Sequence, residues 1–230
     1  MRVCLASTSP ARLMLLQQFG IRPLTLAPDV DEEAVIASVE AAEGRTLAPD
    51  EHVLLLARRK AAEVAARLAD DIPGFDGIVI GGDSMFELEG EVLGKPHTAA
   101  NAAARWRAMR GRTGVLHSGH AVVRLSPGSA PREADAVAAA SVTFAADVTD
   151  AEIDAYVETG EPLKVAGAFT IDCLGGAFFE RIEGDPSTVV GMSVSTLRRL
   201  IRDLGVEWTD LWHTDDPSLG GAEVDDPGLS

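Results

Sequence analysis

The chain has 230 residues, of which 46% are hydrophobic and 24% charged, so it can bury a sizeable core and is neither disordered nor collagen-like. Its 36 acidic and 20 basic residues give a net charge of −16, and a field of that sign repels nucleic acid and anionic membrane surfaces. Because no apolar run is long enough to cross a membrane and no signal-peptide pattern is present, we expect a cytoplasmic protein without nucleic-acid or membrane partners.

The first predicted elements are a buried strand at residues 1–6, a tight loop and a helix at residues 11–19. Ser9 suits the N-cap of that helix, and a proline follows at the first helical position, where its missing N–H costs nothing. A second strand at residues 22–27 ends in an acidic turn at residues 28–33.

The middle of the chain alternates between helix and strand patterns. A long amphipathic helix is predicted at residues 50–69, and a buried strand at residues 77–82 runs directly into Asp83. A hairpin at residues 87–93 then closes on a Gly-Lys-Pro turn, which a helix at residues 98–109 follows.

The rest of the chain adds antiparallel strands and further helices. Strands are predicted at residues 115–125, 136–145 and 178–182, and helices at residues 150–158 and 193–204. This order favours an α/β fold with a mixed, twisted central sheet flanked by helices. We expect one domain at residues 1–209 and an acidic, Gly/Pro-rich, disordered tail at residues 210–230.

Cysteine use fits a reducing compartment. The two cysteines, Cys4 and Cys173, are too few for a disulfide scaffold or a zinc cage. Both lie in apolar runs, so we expect buried free thiols.

Two common nucleotide-binding fingerprints are absent, the GxxxxGK[ST] phosphate loop and a GxGxxG after a strand. An anion site is nevertheless indicated where the first strand meets the first helix. Ser7, Ser9 and Arg12 supply two hydroxyls and a guanidinium beside free backbone N–H groups at a helix N-terminus. The alternative is an ordinary helix cap with a surface arginine.

Three further positions carry the groups that a metal–triphosphate complex needs. Asp83 follows a buried strand, and ligands bind at the carboxyl ends of strands in open α/β sheets. Its carboxylate could hold a metal or accept a proton from water, although an aspartate that only bonds its own turn is the alternative. Lys95 lies in a rigid turn, and an acidic cluster spans residues 29–33; a solvated lysine and a solvated loop are the alternatives.

Nine segments match the motifs of one family in their order along the chain. They read STSPAR at 7–12, VDE at 30–32, ARRKA at 57–61, GDS at 82–84, GKP at 94–96, EP at 161–162, AGAF at 166–169, IEGD at 182–185 and VVGM at 189–192. In these motifs the chain resembles the Maf (septum-formation inhibitor) family of nucleoside triphosphate pyrophosphatases, from Leu5 to about Leu204.

The resemblance implies a Maf/ITPase-like α/β fold and hydrolysis of a nucleoside triphosphate to a monophosphate and pyrophosphate. By motif position, Asp83 would be the catalytic proton acceptor. A divalent metal, Mg²⁺ or Mn²⁺, would be held by Glu32 and Asp83. The phosphates would be bound by Ser7, Ser9, Arg12, Lys60 and Lys95. Substrate choice would depend on Ala11, Ser84 and Asp172. The family is cytoplasmic and often homodimeric, so we expect the same here.

The chain departs from the family pattern at three places. Ala11 replaces an arginine or tryptophan at a position tied to substrate choice. Gly114 stands where many members have histidine. Lys164 is one residue early, so Val165 occupies the lysine position before Ala-Gly. These departures weaken the assignment of a base from the family pattern and leave Asp83 and the phosphate residues untouched.

Asp172 predicts a base preference. It falls where family members that act on uridine and thymidine triphosphates carry glutamine and those that act on 7-methylguanosine triphosphate carry glutamate. A carboxylate only accepts hydrogen bonds, and guanine presents two adjacent N–H donors where uracil presents one between two carbonyls. We therefore expect a guanine-type base, with Ala11 arguing against a close match to either group.

A second hypothesis is a nucleotide-binding regulator of cell division or septum formation without significant turnover, a role that the family name records. The presence of Asp83 and Lys95 favours the enzyme, since a pure binder need not keep a carboxylate facing bound anions. Measured release of pyrophosphate separates the two.

Overall fold

The computed structural model describes residues 1–213 of the chain. Its strands are β1 (Arg2–Ala6), β2 (Leu24–Leu26), β3 (Gly77–Leu88), β4 (Glu91–Val92), β5 (Thr113–Leu125), β6 (Arg132–Phe144) and β7 (Phe179–Glu183). Its α-helices are α1 (Pro10–Gln18), α2 (Glu32–Glu43), α3 (Pro49–Asp71), α4 (Ala99–Met109), α5 (Asp150–Glu158), α6 (Pro186–Val190) and α7 (Val194–Asp203). Short 3₁₀ turns lie at Glu161–Lys164, Ala166–Ala168, Leu174–Phe178 and Trp208–Leu211.

The strands form one mixed sheet in the order β2-β1-β3-β5-β6-β7, and β4 pairs with β3 outside that row. Strand β1 is parallel to β2 and β3, whereas β3, β5, β6 and β7 pair antiparallel in turn. The parallel pairs need helical crossovers, and the antiparallel pairs are joined by hairpins or by longer excursions. The predicted mixed α/β sheet with flanking helices is confirmed.

Helices cover both faces of the sheet, because alternate side chains of a strand point to opposite sides. Val3 and Leu5 of β1 pack with residues of α1 and α7, and Cys4 and Ala6 pack with residues of α3. A third cluster gathers the aromatic side chains around Trp106 of α4. These layers leave one end of β1 and the middle of β3 available for polar side chains.

Two glycines bring helix α3 unusually close to the sheet. A Cβ atom at Gly81 of β3 would lie 2.4 Å from the carbonyl oxygen of Ala57, and one at Gly119 of β5 would lie 2.2 Å from that of Val53. Both distances are shorter than real Cβ contacts, so only glycine fits at either position. The close approach places the α3 side chain of Lys60 directly above β3.

The first strand–loop–helix unit follows the prediction. Ser9 is the N-cap of α1 and its hydroxyl oxygen accepts from the backbone N–H of Arg12, while Pro10 occupies the first helical position. After the helix Gly20 has a φ of 80°, the left-handed conformation that glycine adopts without steric cost.

Two predicted elements were wrong in extent. Strand β3 does not end before Asp83: it continues to Leu88, because residues 83–87 pair with β5 and the chain has no turn there. The acidic turn predicted at residues 28–33 ends in helix α2, which Asp31 caps by accepting from the N–H of Ala34. Carboxylates in that first turn favour a helix start, since they interact well with its dipole.

The two cysteines differ in environment. Cys4 is fully buried, and burial raises its pKa to about 11, so the thiol is unreactive. Cys173 is exposed, so the expectation of a buried thiol was wrong there: its segment is a run of turns at the surface and not a strand or helix.

The packed domain reaches beyond the predicted boundary at residue 209. Leu211 is fully buried, and the N–H of His213 donates to the carbonyl of Gly20. Residues 214–230, the greater part of the predicted tail, lie outside the described residues. Within residues 1–213, the helices are all too short or too polar to cross a bilayer.

Candidate active site

A cleft of about 610 Å³ opens between the start of α1, the middle of β3 and the turns that carry Lys95 and Gly191. Nine of the ten residues that the sequence predicts for the site line it: Ser7, Ser9, Ala11, Arg12, Glu32, Lys60, Asp83, Ser84 and Lys95. The tenth, Asp172, is exposed and is not among the lining residues. The cleft therefore brings these residues together from five segments that are far apart in the sequence.

Arg12 is fixed in place by three neutral acceptors. Its Nε donates to the carbonyl of Gly191 at 2.9 Å, one terminal nitrogen donates to Ser7 Oγ at 3.3 Å, and the other donates to Ser84 Oγ at 3.0 Å. A guanidinium has five N–H donors, so two remain for a ligand. The positive charge is held in position without a direct carboxylate contact.

The electrostatic surroundings of Arg12 are mixed. Burial lowers its pKa, and the negative charges of Asp83 and Glu32 oppose that shift. Arginine stays protonated in either case. An unneutralised, partly buried cation of this kind is stabilised further when an anion binds beside it.

Lys60 bridges the two carboxylates of the cleft. Its Nζ lies 2.7 Å from Asp83 Oδ1 and 2.7 Å from Glu32 Oε1. The lysine side chain is 8% exposed and that of Asp83 is 15% exposed, whereas Glu32 is half exposed. A buried ammonium between two carboxylates is well compensated, and it fixes which oxygen of Asp83 is occupied.

The carbonyl oxygen of Gly191 is a second organising point. It accepts from Arg12 Nε, from Ser84 Oγ at 3.0 Å and from the buried Ser118 Oγ at 3.1 Å. Gly191 has a φ of 120°, a conformation that side chains rarely adopt, and this turns its carbonyl towards the cleft. The loop after α6 thus ties α1, β3 and β5 together. We call Arg12, Lys60, Asp83 and Ser84 the floor of the cleft.

The Gly191 loop is itself anchored by His120 of β5. The ring is fully buried, and its Nε2 accepts from the backbone N–H of Ser193 at 2.7 Å. Burial lowers the pKa of His120 to about 4, so the ring is neutral at pH 7. An imidazole nitrogen accepts only when it carries no proton, so the anchor depends on neutrality.

Asp185 secures the same loop from the other side. Its carboxylate accepts from the hydroxyls of Ser187, Ser193 and Ser195 and from the backbone N–H groups of Ser187 and Ser195. Burial opposes its charge, but these hydrogen bonds outweigh burial and lower its pKa to about 2. The acid therefore stays ionised and holds the start of α7 in place.

The turn that carries Lys95 is held by helix α4. Asn101 Nδ2 donates to the carbonyl of Pro96 at 3.1 Å, and a terminal nitrogen of Arg105 donates to the carbonyl of Gly94. The backbone on both sides of Lys95 is thereby fixed, while its side chain is exposed. Neither Asn101 nor Arg105 was singled out in the sequence, because their role depends on where α4 packs.

Glu161 organises the segment around Asp172. Its carboxylate accepts from the hydroxyls of Tyr156 and Thr170 and from the backbone N–H groups of Leu174 and Gly175. The segment that carries Asp172 is thus a fixed surface turn outside the cleft lining. A contact between Asp172 and a base therefore stays a prediction.

Sequence reasoning missed four residues that the structure places in or behind the cleft. Ser118, His120 and the carbonyl of Gly191 act through tertiary contacts. The VVGM motif contains Gly191, but it does not show what the carbonyl contacts. Lys164 was read only as a displaced lysine, yet it lines the cleft. Its charge and its position two residues before Ala-Gly were the available signals.

The family model and the sequence relatives of this chain agree on one family. A family model described as Maf-like protein matches residues 2–204. A nucleoside triphosphate pyrophosphatase of Leifsonia xyli subsp. xyli is 56% identical over 219 residues, which is 95% of this chain and 100% of that protein. Proteins of the same name are 50% identical in Salinispora tropica, over 100% of this chain and 93% of the relative, and 50% identical in Nocardia farcinica, over 90% and 95%.

Solved structures add little. The Staphylococcus aureus Ham1 protein aligns with 64% of this chain and 73% of its own at 13% identity, with a TM-score of 0.29. A score that low supports no conclusion about the fold, which rests on the strand order given above.

Proposed function

The chain belongs to the Maf family, and from that membership together with the geometry of the cleft we propose that it hydrolyses nucleoside triphosphates to a nucleoside monophosphate and pyrophosphate. The observation that carries the proposal is the arrangement of Arg12, Lys60 and Lys95 around Glu32 and Asp83 in one cleft. The cations supply neutralisation of phosphate charge and the carboxylate supplies a proton acceptor, and phosphoryl chemistry needs both.

Asp83 is the proton acceptor in this proposal. Its Oδ1 accepts from Lys60, and Oδ2 has no hydrogen-bond partner among residues 1–213. Oδ2 therefore takes a proton from the water that attacks the α-phosphorus. The bond between the α-phosphorus and the bridging oxygen breaks, and pyrophosphate leaves with the electron pair. Lys60 keeps the carboxylate oriented throughout.

Arg12 and the hydroxyls of Ser7 and Ser9 bind phosphate oxygens. Arg12 has two N–H donors left, and Ser9 uses its oxygen to cap α1 but keeps its hydroxyl proton for a ligand. Because the protein already fixes these groups, little reorganisation is needed when substrate binds. Lys95, which also lines the cleft, adds further positive charge.

The carboxylates also fit a divalent cation. Lys60 Nζ contacts Glu32 Oε1 and Asp83 Oδ1, each at 2.7 Å, so these two oxygens lie within about 5.4 Å of each other, twice that distance. A cation would bind the carboxylates through their other oxygens or in place of the ammonium. Within residues 1–213 there is no cluster of three or more acidic, histidine or cysteine ligands for a metal. Mg²⁺ needs only one or two carboxylates when phosphates and waters complete its shell. Bound Mg²⁺ or Mn²⁺ would supply neutralisation of phosphate charge.

The experiment that tests the function is a product assay. Purified protein is incubated with GTP, 7-methyl-GTP, ATP, UTP and dTTP, with Mg²⁺, with Mn²⁺ or with a chelator. We expect one pyrophosphate and one monophosphate for each triphosphate consumed, with loss of turnover in the chelator. Release of orthophosphate, or tight nucleotide binding without turnover, would contradict the proposal. The second of these results would instead favour the regulator of septum formation.

Assembly and location are further parts of the proposal. Family membership supports a homodimer that acts in the cytoplasm, and the relatives' names support a nucleotide as its small-molecule partner. Sedimentation of the purified chain tests the dimer: a monomer at micromolar concentration with full activity contradicts it.

A further inference from the structure

Lysine is rare in this chain, and every lysine lines the candidate cleft. Three of the 20 basic residues are lysines, Lys60, Lys95 and Lys164, and the others are all arginines. All three lysines line the candidate cleft. Arginine suits rigid, planar pairing with carboxylates, whereas lysine is a compact ammonium with three rotatable donors on a flexible stem. The chain therefore uses the ammonium group only where it faces the cleft.

The three lysines differ in what they contact. Lys60 is buried and bridges two carboxylates. Lys95 and Lys164 are exposed, and neither has a hydrogen-bond or ion-pair partner within residues 1–213. Arginines elsewhere in residues 1–213 do form ion pairs, as Arg58 does with Asp135 and Arg112 with Glu89. In a protein with a net charge of −16, these two ammonium groups remain available to a ligand.

The fold places Lys95 and Lys164 at the same edge of the cleft. Lys164 ends the 3₁₀ turn Glu161–Lys164, and Gly167, three residues later, donates its backbone N–H to the carbonyl of Leu93 at 2.9 Å. Leu93 lies two residues before Lys95. A backbone hydrogen bond thus joins the two segments, and we call Lys95 and Lys164 the rim of the cleft.

We propose that Lys164 is a further substrate-binding residue, which together with Lys95 binds the two outer phosphates of the triphosphate and the pyrophosphate released from them. This inference rests on the proposed function. Attack on the α-phosphorus takes place beside Asp83 in the floor, where Arg12 and Lys60 already supply charge. The base carries no negative charge to attract two ammonium groups, whereas the β- and γ-phosphates do. Lys164 would thereby take the place of the lysine that the family pattern has at position 165, where this chain has valine.

The test measures pyrophosphate binding by calorimetry, which needs no turnover. Wild type, Lys164→Gln, Lys164→Arg and Arg202→Gln are compared, and Arg202 is the control because it is an exposed cation of α7 outside the cleft lining. We expect Lys164→Gln to weaken pyrophosphate about tenfold, as loss of one charge-assisted hydrogen bond should. Lys164→Arg should keep most of the affinity, and Arg202→Gln all of it. Melting temperatures should not differ.

Two results overturn the inference. Unchanged pyrophosphate affinity in Lys164→Gln would show that this ammonium does not bind the outer phosphates, even in an active enzyme. A change in base selectivity without a change in pyrophosphate affinity would place Lys164 at the base instead. Failure of the proposed function is recognised separately, because a wild type that releases no pyrophosphate from any triphosphate could still bind pyrophosphate through Lys164.

Discussion

The floor and the rim of the cleft are built in opposite ways. Every polar side chain of the floor is held by other protein groups: Arg12 by three neutral acceptors, Lys60 by two carboxylates and Ser84 by the Gly191 carbonyl. The rim consists of two exposed lysines, Lys95 and Lys164. Their backbones are fixed by hydrogen bonds of the neighbouring residues, and their side chains have no partner within residues 1–213. The floor is therefore ordered during folding, whereas the rim is ordered only by a ligand.

This difference separates two contributions to activity. Groups that are fixed before substrate arrives stabilise the transition state without reorganisation, so changes in the floor should appear in kcat. Groups that the ligand must order contribute mainly to affinity, so changes in the rim should appear in KM. The predictions below test that division, from the largest expected effect to the smallest.

The largest effect is expected for Asp83→Asn. The amide keeps the size of the side chain but cannot accept the proton from water, so kcat should fall by about 10²–10⁴-fold. KM should change much less. Steady-state kinetics on a triphosphate measure both constants. A variant with near-wild-type kcat would show that Asp83 is not the base.

The same variant needs a check of folding, because Asp83 lies inside β3 and contacts Lys60. Circular dichroism and thermal melting of Asp83→Asn and Glu32→Gln serve as matched measurements, since each removes one of the two carboxylates that Lys60 bridges. A floor that is merely unfolded would lose nucleotide affinity as well as turnover.

Low pH should reduce the free energy of unfolding through His120, which anchors the Gly191 loop. Burial lowers its pKa from 6.5 to about 4, so between those values the unfolded chain binds a proton that the folded chain does not. Stability is therefore complete above pH 6.5 and falls as the pH is lowered towards 4, by about 3 kcal/mol. Asp185 adds to the loss only below pH 3.8, where its lowered pKa begins to matter.

Denaturant titrations from pH 7 to 4.5 measure this loss. His120→Gln is the informative variant, because its amide oxygen can still accept from Ser193 N–H and does not titrate. It should lose much of the acid sensitivity, while His52→Gln on α3 should keep it. Identical pH dependence in wild type and His120→Gln would remove His120 as the cause.

Arg12→Ala and Lys95→Ala compare floor and rim directly. Each should weaken triphosphate binding more than nucleoside binding, by about 1.5–3 kcal/mol, through loss of charge-assisted hydrogen bonds. Only Arg12→Ala should also lower kcat and the melting temperature, because it leaves the Gly191 carbonyl with one donor fewer. Calorimetry measures the binding of triphosphate and nucleoside to the two variants, and steady-state kinetics measures their kcat. Equal kcat values in the two variants would contradict the division between floor and rim.

The smallest effect is expected at Asp172, which lies outside the cleft lining. If its carboxylate accepts from a guanine-type base, Asp172→Gln should reduce the preference for GTP or 7-methyl-GTP over UTP and dTTP about 2–10-fold, the range for one net hydrogen bond. Ratios of kcat/KM across the four nucleotides measure it. A wild type that prefers UTP or dTTP, or an Asp172→Gln variant with unaltered ratios, contradicts the expectation.

Local signals predicted helix α1, which carries Arg12 of the floor, well. The serine cap, the proline at the first helical position and the glycine after α1 are set by neighbouring residues, so the sequence gives their geometry. The caps of α2 were equally visible, since Asp31 precedes two glutamates and a run with Val35 and Val39, but that pattern was interpreted as a turn.

Non-local pairing explains what the sequence could not predict. Asp83 and Ser84 are typical of a turn, and they become strand residues only because β5 pairs alongside them. The contacts of Gly191 with Arg12 and Ser84 join positions more than 100 residues apart. Family motifs identified most lining residues without this information, but not the carbonyl that aligns them or the hydrogen bond that brings Lys164 to Lys95.

The contact between α3 and the sheet has a consequence for how this chain can vary. At Gly81 and Gly119 a single methyl group would collide with a backbone carbonyl of the helix, and at Gly81 it would also lie 2.8 Å from the Cβ atom of Ala61. Smaller side chains elsewhere cannot relieve these collisions, because the nearest atom at both positions is a backbone carbonyl oxygen. The distance from Lys60 to Asp83 therefore depends on how closely the backbones of α3 and β3 approach each other. Variants at these glycines that still fold would do so by lifting the helix and separating the ammonium from its carboxylate.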